Sequence, residues 1–169
     1  GMSKGAADRY SKKYQHYDME FLGYKFNMSN IQASLLLNQL DSIESFLERK
    51  EAVAQQYDKG FKNNSFINYP KVLSNTKHAR HLYTIWVDQE KRDQYMHEMQ
   101  EAGIGVAVNF RAAHLLKYYR EKYGYKKGDF PEAEAQCATI VSLPIYPEIT
   151  DQQVQWVINE INNFVKIHG

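Results

Sequence analysis

The clearest apolar pattern begins at Leu36. From there Leu40, Ile43, Leu47, Ala54 and Tyr57 recur at steps of three and four, with one step of seven, so they share one stripe of a helix. Ser29 and Gln32 stand just upstream with the S-x-x-Q spacing of a capping box, in which side chain and backbone satisfy each other's free N–H groups. The pattern therefore predicts one connector helix over residues 29–60, about eight turns long, with Gly60 as its C-cap. Residues 1–28 carry Tyr10, Tyr14, Tyr17 and Tyr24 without a period of 3.6 or 2, and read as an irregular segment that needs a surface to lie on.

Residues 61–169 change character. Residues 61–80 read as loop. His81 to Val87 (HLYTIWV) is β-branched and aromatic, which predicts a strand buried on both faces. Gln89 to Ala102 is helical, with Tyr95, Met99 and Ala102 on one face and Gly103 as the stop. Ile104, Val106, Val108 and Phe110 alternate strictly and predict a second strand. A short helix follows over His114–Tyr123, then one with Pro131 at its first position, running to about Ala138. Ile140–Leu143 is a third strand, closed by Pro144 and Pro147. Thr150 and Gln153 form a second capping box, before a helix whose apolar face is Val154, Val157, Ile158, Ile161 and Val165. The expected architecture is α+β: a small domain with a three-stranded sheet covered by helices, preceded by the connector helix.

Composition narrows the function classes. The chain has 169 residues, 43% apolar and 14% aromatic, enough for a packed core. Its 21 basic and 20 acidic residues nearly cancel, which removes the electrostatic case for nucleic acid or an anionic membrane. No apolar run approaches the roughly 20 residues a transmembrane helix needs. The start Gly1-Met2-Ser3-Lys4 has no apolar h-region, so a cytoplasmic protein is expected. The single cysteine, Cys137, cannot form an internal disulfide and reads as a small core residue. His78 and His81 have no acidic or thiol partner nearby in sequence, so no metal site is expected. Without a secretory signal, the sequons at Asn27 and Asn63 carry no weight.

Two polar clusters remain. Lys25, Asn27 and Ser29, directly before a helix, are suited to an anion such as a phosphate; they equally suit a capped helix with a solvated lysine. Asn109, Arg111 and His114 gather where a strand is expected to end; Arg111 can pair with a phosphate or carboxylate, or the segment can be an ordinary polar loop.

The same clusters carry a resemblance. Leu22 to Leu35 (LGYKFNMSNIQASL) resembles the "GYNYRMTDIQAA" segment of the DegT/DnrJ/EryC1/StrS aminotransferases. His81-Leu82-Tyr83, Gly103-Ile104-Gly105, Asn109 to Tyr119 (NFRAAHLLKYY), Gly128-Asp129-Phe130-Pro131 and Ser142 to Pro147 (SLPIYP) resemble that family's later motifs in order. Gly1 to Lys4 is similar to the family's "HGMSK". The resemblance implies the small C-terminal domain of a fold-type-I, pyridoxal 5'-phosphate (PLP)-dependent transferase acting on nucleotide-linked keto sugars, as a homodimer. Lys25, Asn27 and Ser29 would then face the PLP phosphate of a partner subunit. Asn109, Arg111 and His114 would lie near the substrate, with Asn109 where the family usually has histidine.

The family's S-x-H-x-x-K lysine, which forms the Schiff base, and its ring-pairing aspartate match nothing in these residues. His114-Leu115-Leu116-Lys117 lacks the serine and is explained by the later motif. No catalytic residue is therefore assigned, and the chain alone is expected neither to hold PLP nor to transaminate. A second reading stays open: a non-catalytic module that pairs with itself or with a full-length aminotransferase through its apolar stripe.

Overall fold

The computed structural model describes residues 18–168, with side chains to Phe164. Tyr10, Tyr14, Tyr17 and the Val165 side chain therefore lie outside the described residues. The chain divides after Asp41 into two units.

In the first unit, residues 18–29 hold no regular element beyond a bridge residue at Met19, and α1 spans Asn30–Ser34. Its expected capping box is present: the Gln32 amide donates to Ser29 Oγ at 3.3 Å and the Ser29 amide to Gln32 Oε1 at 3.1 Å. The helix then stops, contrary to the expectation of one helix from residue 29 to 60. The Ser34 hydroxyl donates to the Ile31 carbonyl at 2.8 Å, and residues 35–38 form turns with three-residue backbone bonds, such as Gln39 N to Leu36 O. A serine hydroxyl that takes a helix carbonyl competes with the ladder and favours such a break.

The long helix is α2, Gln39–Phe61. It runs through Gly60, which is no cap but a contact point: a Cβ there would come within 2.7 Å of Ile158 Cγ2. The apolar stripe splits between two environments. Val53, Ala54, Tyr57 and Phe61 are buried, whereas Leu36, Leu40 and Ile43 are exposed.

The second unit is built on β1 (Tyr83–Trp86) and β2 (Ile140–Leu143), antiparallel with Tyr83 opposite Leu143 and Ile85 opposite Val141. Tyr83 and Ile85 are buried and Thr84 and Trp86 half-buried, so β1 gives one face to the core rather than both. Three further helices follow β1: α3 (Arg92–Glu101), α4 (Lys117–Tyr123) and α5 (Pro131–Thr139), with a 3₁₀ turn at Ala113–Leu115 before α4. Pro131 occupies the first turn of α5, as expected. The last helix, α6, spans Asp151–His168 and carries the second capping box: Thr150 N donates to Gln153 Oε1 at 2.9 Å and Gln153 N to Thr150 Oγ1 at 3.2 Å. Arg49 of α2 joins this corner through Asp151 at 2.7 Å and the Ile149 carbonyl.

The third strand does not form. Ile104 and Val106 are buried and Gly105 and Ala107 exposed, but the alternation ends there, with Val108 half-buried and Phe110 67% exposed, and among the described residues the segment's one pairing is a bridge between Ala107 and Ser142. The sheet has two strands. β2 is four residues long and ends at Pro144, leaving little edge to pair with.

One core joins α2, β1, α3, β2 and α6: Tyr57 and Phe61 meet Tyr83, Ile85, Tyr95, Met99, Val141, Leu143, Val154, Ile158 and Ile161. The Tyr57 hydroxyl donates to the Pro144 carbonyl at 2.9 Å, fastening α2 to the end of β2.

Candidate functional site

Lys25, Asn27 and Ser29 lie in the first unit and all are exposed. Lys25 makes no ion pair among the described residues, so its ammonium is free for an anion. The helix amides are less available. Ser29 Oγ and Gln32 already bond each other across the capping box, and α1 has only five residues. The polar side chains left for an anion are those of Lys25 and Asn27.

Asn109, Arg111 and His114 lie in the second unit, in the segment between the Ala107–Ser142 bridge and α4. Arg111 is exposed and Asn109 half-buried, and neither has a hydrogen bond to another described residue. The peptide between Asn109 and Phe110 is cis. His114 is different: only 8% of its side chain is exposed, and its Nε2 lies 2.8 Å from Glu134 Oε1. Rings of Phe130 and Tyr125 flank the imidazole, with centroids 4.8 and 6.3 Å away. Two residues of the loop are thus presented outward while the third is tied inward.

Glu134 is the partner of this cluster that the sequence reading missed. It stands in the first turn of α5, where acidic residues are common because they offset the helix dipole. Nothing in the spacing marks it, since its partner is twenty residues away. Its Oε1 also accepts the Gly128 amide at 2.8 Å, and the Phe130 amide adds to the field on the carboxylate. The His114 hydrogen bond first, then these amides, hold the Glu134 carboxyl below its ordinary range. Gly128 can offer that amide because its φ of +97° suits glycine and strains other residues.

An aromatic wall continues from this pair. Phe130, Tyr125, Tyr123 and Tyr119 follow one another with centroids 5.6 to 6.2 Å apart. The Lys122 ammonium lies 5.3 Å from the Tyr118 ring and 5.4 Å from the Tyr123 ring, within cation–π range. Lys117, the false H-x-x-K lysine, is 80% exposed at the start of α4 with Glu121 3.8 Å away. Cys137 is half-buried and free; the His78 Nδ1 accepts the Arg80 amide at 2.9 Å. Among the described residues no group of three or more His, Cys, Asp or Glu side chains is placed to hold a metal ion. No described helix is long and apolar enough to cross a membrane.

Known proteins share this architecture. A putative sugar aminotransferase of Streptococcus pneumoniae, Spr1654, superimposes with a TM-score of 0.78 at 31% identity in its apo form, over 89% of this chain and 38% of its own. Spr1654 has also been solved in PMP and PLP forms, both again at a TM-score of 0.78. Among curated relatives, the spore coat polysaccharide biosynthesis protein SpsC of Bacillus subtilis is 37% identical over 98% of this chain. The uncharacterized protein MJ1066 of Methanocaldococcus jannaschii is 38% identical over the same share. The chain spans 44% of the length of each. The class is therefore an α+β portion of the kind found in sugar aminotransferases. The chain belongs to the DegT/DnrJ/EryC1/StrS aminotransferase family, which it matches over residues 1–162.

Proposed function

We propose that this chain is the C-terminal part of a PLP-dependent aminotransferase that moves an amino group from glutamate to a nucleotide-linked keto sugar, and that it does not catalyse this alone. The observation that carries the reading is the family match over residues 1–162 combined with coverage of only 44% of the relatives' length. The PLP and PMP forms of Spr1654 support the cofactor. When bound, PLP supplies an electron sink for the transfer.

The residues of this chain bind and orient. The free Lys25 ammonium, with Asn27 and Ser29 beside it, neutralises and positions the PLP phosphate of a partner subunit. The exposed Arg111 guanidinium pairs with an anionic group of the substrate, and Asn109 contributes a neutral amide beside it. Exposed Phe21, Leu22, Phe26, Ile31, Leu37 and Leu40 form a surface that a missing large domain or a second copy covers. The reading places the protein in the cytoplasm, with its thiol reduced.

Mixing experiments test this. The purified chain should gain no PLP absorbance and show no transfer from glutamate. Adding a separately expressed portion that carries the S-x-H-x-x-K lysine should restore both, and Lys25→Ala should weaken PLP retention by about tenfold, the cost of one charge-assisted hydrogen bond. Turnover by the chain alone would overturn the proposal. The same exposed surface also favours a non-catalytic module that pairs with itself or a full-length aminotransferase; on that reading restoration fails while association persists.

A further inference from the structure

One distant side chain and one nearby backbone amide converge on the Glu134 carboxylate. His114 Nε2 lies 2.8 Å from Oε1, and the Gly128 amide donates to the same oxygen at 2.8 Å. The His114 and Glu134 side chains are 8% and 13% exposed, so the pair is withdrawn from solvent, where a hydrogen bond to a charged acceptor is strong. The segment that carries Asn109 and Arg111 has few other attachments. At one end Ala107 exchanges backbone bonds with Ser142, at 3.3 and 2.8 Å. Asn109 and Arg111 themselves bond no other described residue. At the other end His114 is the anchor. Without it the loop would be held by the Ala107 bridge, the buried Ala112 and the Ala113–Leu115 turn.

We propose that Glu134 is a positioning residue: by accepting the Nε2 proton of His114 it fixes the loop that presents Asn109 and Arg111 to an anionic substrate. The proposal rests on the substrate-facing reading of this loop given above and changes one part of it. His114 serves as the loop's inward tether, with Nε2 occupied by Glu134, and the outward contacts fall to Asn109 and Arg111. Glu134 is suited to this because its carboxyl stays ionised through neutral pH, and because the Gly128 amide holds the same oxygen.

Nuclear magnetic resonance on the whole 169-residue chain tests the tether without substrate. In the unaltered protein His114 should show a ring Nε2–H resonance protected from solvent. The Glu134 carboxyl should titrate below the ordinary carboxylate range and move back toward it in His114→Gln. Glu134→Ala should abolish the ring resonance and speed exchange of the Phe110–Leu115 amides by about tenfold, the loss of one hydrogen bond to a charged group. Glu134→Gln keeps an oxygen in place and should retain the resonance. Glu132→Ala, in the same helical turn, should change neither, and Ala138 and Thr139 amides in α5 should stay protected throughout. Unchanged loop exchange in Glu134→Ala, or equal loosening in Glu132→Ala, overturns the tether. If Glu134→Ala does not fold, His114→Gln applies the same exchange criterion from the other side of the bond.

A separate titration with inorganic pyrophosphate, followed at the Arg111 Nε–H, tests the functional half. It should shift that resonance, at about tenfold higher concentration once the tether is cut. A protein with an intact tether whose Arg111 ignores pyrophosphate overturns the substrate-facing reading and leaves Glu134 a structural clamp.

Discussion

The Arg80 guanidinium forks onto the Glu51 carboxylate, Nε to Oε2 at 2.6 Å and Nη2 to Oε1 at 2.9 Å. The arginine side chain is 8% exposed and the glutamate 38%. Arg80 also sits at φ +46°, a left-handed conformation that L side chains adopt at a cost, so the fork holds a residue the backbone does not favour. Glu51→Ala should therefore destabilise the protein by about 1–3 kcal/mol, more than a surface pair and less than a fully buried one. The pair also sets an acid limit. Its hydrogen bond to Arg80 lowers the Glu51 carboxyl below its ordinary value of 4.5. A lowered carboxylate contributes stability that is complete above the unfolded value and is lost as pH falls through the folded one. Urea unfolding at a series of pH values should show this loss below 4.5, and the slope should shrink in Glu51→Gln.

Gly60 and Ile158 make a second testable contact. Alanine normally favours a helix over glycine by about 1 kcal/mol. Here its Cβ would lie 2.7 to 3.0 Å from three atoms of Ile158, a β-branched residue with little rotameric freedom. Overpacking of this kind costs about 1–3 kcal/mol and should outweigh the propensity gain, so Gly60→Ala lowers the unfolding midpoint. Pairing it with Ile158→Ala should recover part of the loss in a double-mutant cycle.

What the sequence disclosed and what it hid divide along local and non-local physics. Both capping boxes, at Ser29 and Thr150, were legible because their partners lie three residues apart. The alternation from Ile104 marked Ile104 and Val106 as facing inward but failed at Phe110, which is exposed; alternation also reports facing and not pairing, and the ladder shrank to one bridge at Ala107. The apolar stripe through Leu36 concealed the break at residues 35–38, because a Ser34 hydroxyl bonding back to Ile31 leaves no trace in hydrophobicity. At the candidate loop, Asn109, Arg111 and His114 stood out by residue type. Glu134 could not, since its role exists only when residues twenty apart meet.

Buried tyrosines set the alkaline limit. Burial, the largest cause in each case, pushes the hydroxyls of Tyr57, Tyr83 and Tyr95 above the ordinary value of 10. A group raised in the folded state stabilises it fully below the unfolded value, and that contribution fades as pH rises above it. These three should form phenolate only as the protein unfolds, visible as a cooperative late step in ultraviolet absorbance. Their hydroxyls differ in partner. Tyr83 donates to Asp58 Oδ1 at 2.7 Å, while the Tyr95 hydroxyl is buried with no partner among the described residues. Tyr83→Phe should cost about 1–2 kcal/mol, and Tyr95→Phe should raise stability by up to about 1 kcal/mol.

Leu37 and Leu40 are 73% and 74% exposed, beside Leu35, Leu36 and Ile43, which also face solvent. Burying a leucine is worth about 1.5–3 kcal/mol, so two of them supply enough to drive concentration-dependent association. Sedimentation velocity should show the chain self-associating, or joining an added large-domain portion. Replacing both leucines with aspartate should shift either equilibrium by at least about a hundredfold, since 1.4 kcal/mol is a factor of ten. The substitutions are mild for the fold itself. Both sites are exposed, and Leu40 is the second residue of α2, where a negative charge suits the helix dipole. Circular dichroism should accordingly stay unchanged while association falls. A strictly monomeric chain that also ignores the large-domain portion would remove the case for this surface as an interface.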